Sequence, residues 1–211
     1  GVDVAIAEKP RAWLGEAAGP AAEPHVVAAP ATDEPPATLE AFRSWFGETR
    51  ALPLAGPRRV LPKGLETPEV MLLADMPAPE DIADGQPIGG EAWALTERML
   101  AAIAMTSEQA YVATLTCSHS PGARLAGNDL ETCAAIARRH VALVRPKRLI
   151  LFGDTASRAL LGKPLTAARG HVHKIEGVGT VASFHPRQLL QQPSQKALAW
   201  RDLLLLMEEE V

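Results

Sequence analysis

Cysteine is scarce in this sequence, with only Cys117 and Cys133 among 211 residues. Two thiols in a chain of this length make no disulfide framework and suit a reducing compartment. Long apolar runs are missing as well. No stretch approaches the roughly 18 to 20 unbroken apolar residues that a membrane helix needs, and no basic-then-apolar leader opens the chain. A cytoplasmic protein with no membrane role is therefore expected. There is no strong basic excess, since the formal net charge is −4. No Gly-rich phosphate loop occurs, which counts against a small-molecule nucleotide binder, and no internal repeat is evident.

With 47% hydrophobic and 22% charged residues, the chain can bury one full core and is too short for two large domains. Charge is unevenly spread. Residues 1–100 carry 8 Lys+Arg against 16 Asp+Glu, and residues 101–211 carry 13 against 9, a balance of −8 and +4. Five of the six histidines also lie in the second half. This permits a locally positive face for a polyanion. From Gly15 to Pro36 the chain is almost entirely Ala, Pro, Gly, Glu and Asp, a composition that buries too little apolar surface to order itself. The expected organisation is an N-terminal arm at 1–14, a linker at 15–37 and one domain at 38–211. The arm carries Val4, Ile6, Trp13 and Leu14 as docking residues.

Within the domain, Thr38 predicts an N-cap for a helix over Leu39 to Arg50. Short apolar runs at Val70 to Ala74, Tyr111 to Leu115 and Leu149 to Phe152 predict strands, each followed by a loop and a helical pattern. Val172 to Ile175 and Thr180 to Phe184 read as paired strands about Gly177. Ser194 caps a final helix with Ala197, Trp200, Leu204 and Met207 inward. Alternation of this kind predicts a three-layer α/β/α sandwich with a mainly parallel, four-stranded sheet, because parallel strands need crossover connections. The working site of such a fold lies beyond the carboxyl ends of its strands. Three loops qualify: Asp75 to Gly90, Ser118 to Gly127, and His185 to Pro193.

His185 directly follows a strand and reads either as a cleft residue or as a cap on the strand end. Asp75, at the end of the first strand, reads either as a carboxylate facing His185 or as a turn-forming residue before Pro77. Arg124, Lys163, Arg169, His171, His173 and Arg187 fall where a rim could contact phosphates, or where a solvated charged rim would lie. Cys133 falls on the apolar side of its helix, and both cysteines read as packing residues.

Several motifs in order carry a resemblance. The segment Leu72 to Thr96, LLADMPAPEDIADGQPIGGEAWALT, is similar to motif one of the bacterial iron-sulfur uracil-DNA glycosylases. Phe184-His185-Pro186, Leu189-Leu190, Pro193-Ser194 and Trp200-Arg201-Asp202 resemble motif two. Val144 to Lys147 and Leu151 to Gly162 look like the strand and helix between them. The resemblance covers about Leu39 to Glu210 and implies base excision from DNA. It makes His185 the hydrogen-bond donor to the departing base, and Asp75 the carboxylate, one methylene shorter than the family's Glu. Met76, Pro77, Ile88 and Ala113 would form the base pocket, and Arg187 and Gln188 would open the loop that probes the minor groove. Leu189 reads as a wedge or as core.

The departures matter as much. The family's uracil-stacking Phe corresponds to Ile88 and its uracil-reading Asn to Ala113, and neither replacement can stack a flat ring or pair with a base edge. Cys117 and Cys133 correspond to the last two cluster ligands, while Thr49 and Leu52 stand where the first two belong. A four-iron cluster needs four thiolates, so no metal and no cofactor are expected. Two functions follow: a glycosylase for uracil or another damaged base, with DNA as partner, or a module without catalysis that binds DNA or a protein of a repair or replication assembly.

Overall fold

The computed structural model describes residues 34–54 and 56–208. The arm expected at 1–14 and most of the linker expected at 15–37 lie outside the described residues. Six strands form one sheet: β1 (Lys63–Gly64), β2 (Val70–Ala74), β3 (Ala110–Thr114), β4 (Arg148–Phe152), β5 (Val172–Ile175) and β6 (Val178–Ser183). Their order is β1-β3-β2-β4-β6-β5. The sheet thus has six strands, not the four expected. The inner four are parallel, and β1 and β5 add antiparallel edges. β1 escapes a pattern search because two exposed residues carry no alternation.

Eight α-helices accompany the sheet among the described residues: α1 (Leu39–Glu48), α2 (Pro79–Asp84), α3 (Gly90–Ala102), α4 (Asn128–Val144), α5 (Asp154–Leu161), α6 (Leu165–Ala168), α7 (Pro186–Gln191) and α8 (Lys196–Glu208). None is long and apolar enough to cross a membrane. Helices cover both sheet faces, so β2 and β3 are buried at every position, as parallel strands between two helical layers must be. The pleat divides them. Met71 and Leu73 of β2, with Tyr111 and Ala113 of β3, pack on Phe42 and Phe46 of α1, Val141 of α4 and Leu160 of α5. Val70, Leu72 and Ala74, with Ile150 and Phe152 of β4, pack on Leu100 of α3 and Leu203 and Leu206 of α8. The three-layer α/β/α class is therefore as expected.

One polar pair sits inside the first layer. Tyr111 Oη lies 2.8 Å from His140 Nε2, and burial, with the Arg43 charge nearby, pushes His140 down to about 3. His140 is neutral at pH 7 and tethers α4 to β3.

The last helix is rotated from its expected setting. Ala199, Asp202, Leu203 and Leu206 face inward, whereas Trp200 and Met207 are 40% and 42% exposed. Asp202 sets this phase. Its carboxylate takes a bidentate pair from Arg169 (Nη2 to Oδ1 3.0 Å, Nε to Oδ2 3.1 Å), the Ser183 hydroxyl at 2.9 Å and the Gly170 N–H at 3.1 Å. A buried carboxylate without those donors would cost several kcal/mol, so the helix turns to meet them.

Candidate active site

The strand register brings the loops to one rim. Ala74 pairs with Thr114 on one side and Phe152 on the other, and Phe152 pairs with Ser183. The chain leaves all four parallel strands at the same level, where α/β folds hold their ligands.

Asp75 is the first residue beyond β2, and its side chain continues the series of Met71 and Leu73 toward α5. Its carboxylate accepts the N–H of Ala156 at 2.6 Å and of Thr155 at 3.4 Å. These are orphan donors of the first turn of α5, whose own N-cap, Gly153, offers no side chain. Gly153 has φ 102°, and a Cβ there would stand 2.7 Å from the Asp75 Cγ. Glycine is what lets the carboxylate reach the helix end. Burial lifts the Asp75 pKa to about 6, with the two N–H bonds pulling against it.

Beside Asp75 opens a cavity of about 800 Å³, lined by Met76, Pro77, the loop 119–127, Asp154, Thr155 and Arg158. The second loop is tied to the first, since His119 Nδ1 donates to the Pro77 carbonyl at 3.0 Å and the Ser120 N–H meets Met76 Sδ at 3.4 Å. Arg124 reaches the cavity wall from that loop.

His185 follows β6 by two residues and N-caps α7. Its Nδ1 accepts the Arg187 backbone N–H at 3.1 Å, so the ring proton resides on Nε2. Among the described residues nothing accepts from Nε2. Burial first, then the Arg187 charge, pulls the pKa to about 3, and the ring is a neutral donor at pH 7. It stands edge-on to Phe152 at 6.1 Å between centroids. Phe152 belongs to the α3/α8 face, so His185 and Asp75 share the rim and turn to opposite faces of the sheet. Two strand spacings, about 10 Å, separate their strands, and His185 does not line the 800 Å³ cavity.

The other residues singled out from the sequence divide in the same way. Met76 and Pro77 line the cavity. Ile88 is buried against the α3 layer, and Ala113 is buried in the opposite layer. Neither lines it. Arg187 pairs with Glu80 and Asp81. Arg169 pairs with Asp202 and lies 4.7 Å over the Phe184 ring. Gln188 Nε2 donates to Gln195 Oε1 at 2.9 Å. His171 and Lys163 are exposed, with His171 6.4 Å from the His173 ring. Leu189 is core. Sequence reasoning overlooked His119, Asp154 and Arg158. The i, i+4 spacing of Asp154 and Arg158 was the available signal.

A parallel α/β sheet with its polar groups and cavity at the carboxyl rim defines a class of protein that binds its ligand across strand ends. A family model of the uracil DNA glycosylase superfamily matches residues 61–204, more than half of the chain, and the chain belongs to that superfamily.

Members with an iron-sulfur cluster hold it on four thiolates, and the residues here do not fit one. Leu52, Cys117 and Cys133 lie in one apolar core, with Thr49 buried. Burial, Asp129 and Cys117 push the Cys133 thiol up to about 12. Among the described residues no group of three or more His, Cys, Asp or Glu could hold a metal.

Proposed function

We propose that this protein is a DNA-repair-type glycosylase that hydrolyses the N-glycosidic bond to uracil or another damaged base. The observation that carries the reading is His185: in a chain of this superfamily, at the end of β6, it is a neutral imidazole with its proton on Nε2. Negative charge grows on a base as it departs, and a fixed neutral donor stabilises that charge. The sugar left behind becomes oxocarbenium-like before water adds. Asp75, ionised above about pH 6, supplies the carboxylate that favours the cation or orients water. A flipped nucleotide lying across the strand ends spans the 10 Å between the two strands, with the cavity beside Asp75 as its entry. The two buried free thiols suit the cytoplasm.

The test uses single- and double-stranded oligonucleotides carrying uracil, hypoxanthine or xanthine, followed by alkaline cleavage of abasic sites. Product from one of them that disappears in His185→Ala is the expected result.

A second reading has an observation of its own. Ile88 and Ala113, the positions for a stacking ring and a base-reading amide, are packed in the core, and a site without those contacts loses base discrimination. A catalytically silent module that binds DNA or a protein of a repair or replication assembly fits this. No product from any base, with folding and DNA binding retained, would select it.

A further inference from the structure

Arg187 carries a positive charge at the rim, yet its side chain is already engaged. Nε donates to Glu80 Oε1 at 3.0 Å, and Nη2 donates to both oxygens of Asp81 at 2.9 and 2.8 Å. The Asp81 side chain is 1% exposed and that of Arg187 is 25% exposed. Asp81 also accepts the N–H of Ala78 and of Gly89, each at 2.7 Å. It therefore ties the N-cap of α2 to the N-cap of α3 across the loop that follows Asp75, and joins both to α7. A phosphate competing for Arg187 would leave a buried carboxylate with two backbone donors only, which is unfavourable. The same Arg187 gives its backbone N–H to His185 Nδ1.

We propose that Asp81 is a positioning residue for His185, acting through Arg187, and that Arg187 is a clasp between the two site loops and not a phosphate ligand. The clasp holds the first turn of α7, and with it the N–H that commits the imidazole proton to Nε2. The consequence for catalysis rests on the glycosylase reading above; the clasp itself does not.

The test is ¹⁵N NMR of the imidazole of His185 in the wild type, Arg187→Met, Arg187→Lys and Asp81→Asn, with folding followed by circular dichroism. A single Nε2–H tautomer in the wild type, tautomer averaging in Arg187→Met and its reversal in Arg187→Lys is the expected pattern. His185 signals in folded Arg187→Met identical to the wild type overturn the proposal. Arg187→Met carries the test if Asp81→Asn does not fold. With a double-stranded oligonucleotide, the slope of log K against log salt is expected to be unchanged in Arg187→Met; a slope flatter by about 0.9, the signature of one lost phosphate contact, overturns it as well. Where a base is excised, Arg187→Met lowers kcat about 100-fold with KM little changed, and Arg187→Lys restores it. The spectra need no DNA, so failure of the glycosylase reading and failure of the clasp are separate outcomes.

Discussion

At the scale of single residues, the protonation states of Asp75 and His185 make a joint demand on pH. Asp75 has a folded pKa near 6, above its ordinary value of 3.8, so its charged form is disfavoured by folding and present only above that value. His185 loses its charge near pH 3 and is constant through the range where Asp75 titrates. The expected profile of kcat/KM is therefore one acid limb with a midpoint at about 6, flattened in Asp75→Asn; a measured limb that survives that substitution would assign the titration elsewhere. The rim placement of His185 and Asp75 was legible because each sits just past the end of a strand pattern, although the roles proposed for them do not follow from that placement. The pairing of the cations was not legible. Arg169 and Arg187 look like phosphate ligands in a sequence, and only folding reveals Asp202 and Asp81, 33 and 106 residues away.

The secondary-structure elements teach a related lesson. Periodicity located the four parallel strands and most long helices to within a few residues, since their apolar positions follow the layers they pack against. α2 was hidden in a loop rich in Pro and Asp, although Pro79 at its first turn and Asp81 two positions later are start signals. For α8 the difficulty was phase. Its Leu203-Leu204-Leu205-Leu206 run is apolar on every side, so hydrophobicity could not choose a face, and the Asp202 ion pair chose it. Truncation separates the two settings: Leu206→Ala is expected to cost about 2 to 5 kcal/mol, whereas Trp200→Ala stays within about 0.5 kcal/mol. Urea denaturation of the two variants decides between them, and a larger loss at Trp200 would restore the setting read from the sequence.

For the molecule as a whole, membership of the superfamily fixes the architecture without fixing the chemistry. Leu52, Cys117 and Cys133 pack in one apolar core, and among the described residues no group of three or more His, Cys, Asp or Glu could hold a metal. Protein purified under anaerobic conditions and supplied with iron and sulfide is expected to show no broad visible absorption and an unchanged Tm. The borders of the sheet have a further consequence. One ends in the two-residue β1, where a Cβ on Gly64 would meet the backbone of Tyr111 at 2.6 Å; the other ends in β5, four residues long and bearing the exposed Lys174. Among the described residues neither margin offers a long, flat, greasy ribbon on which another molecule could add a strand, so these edges should not seed fibrillar assembly.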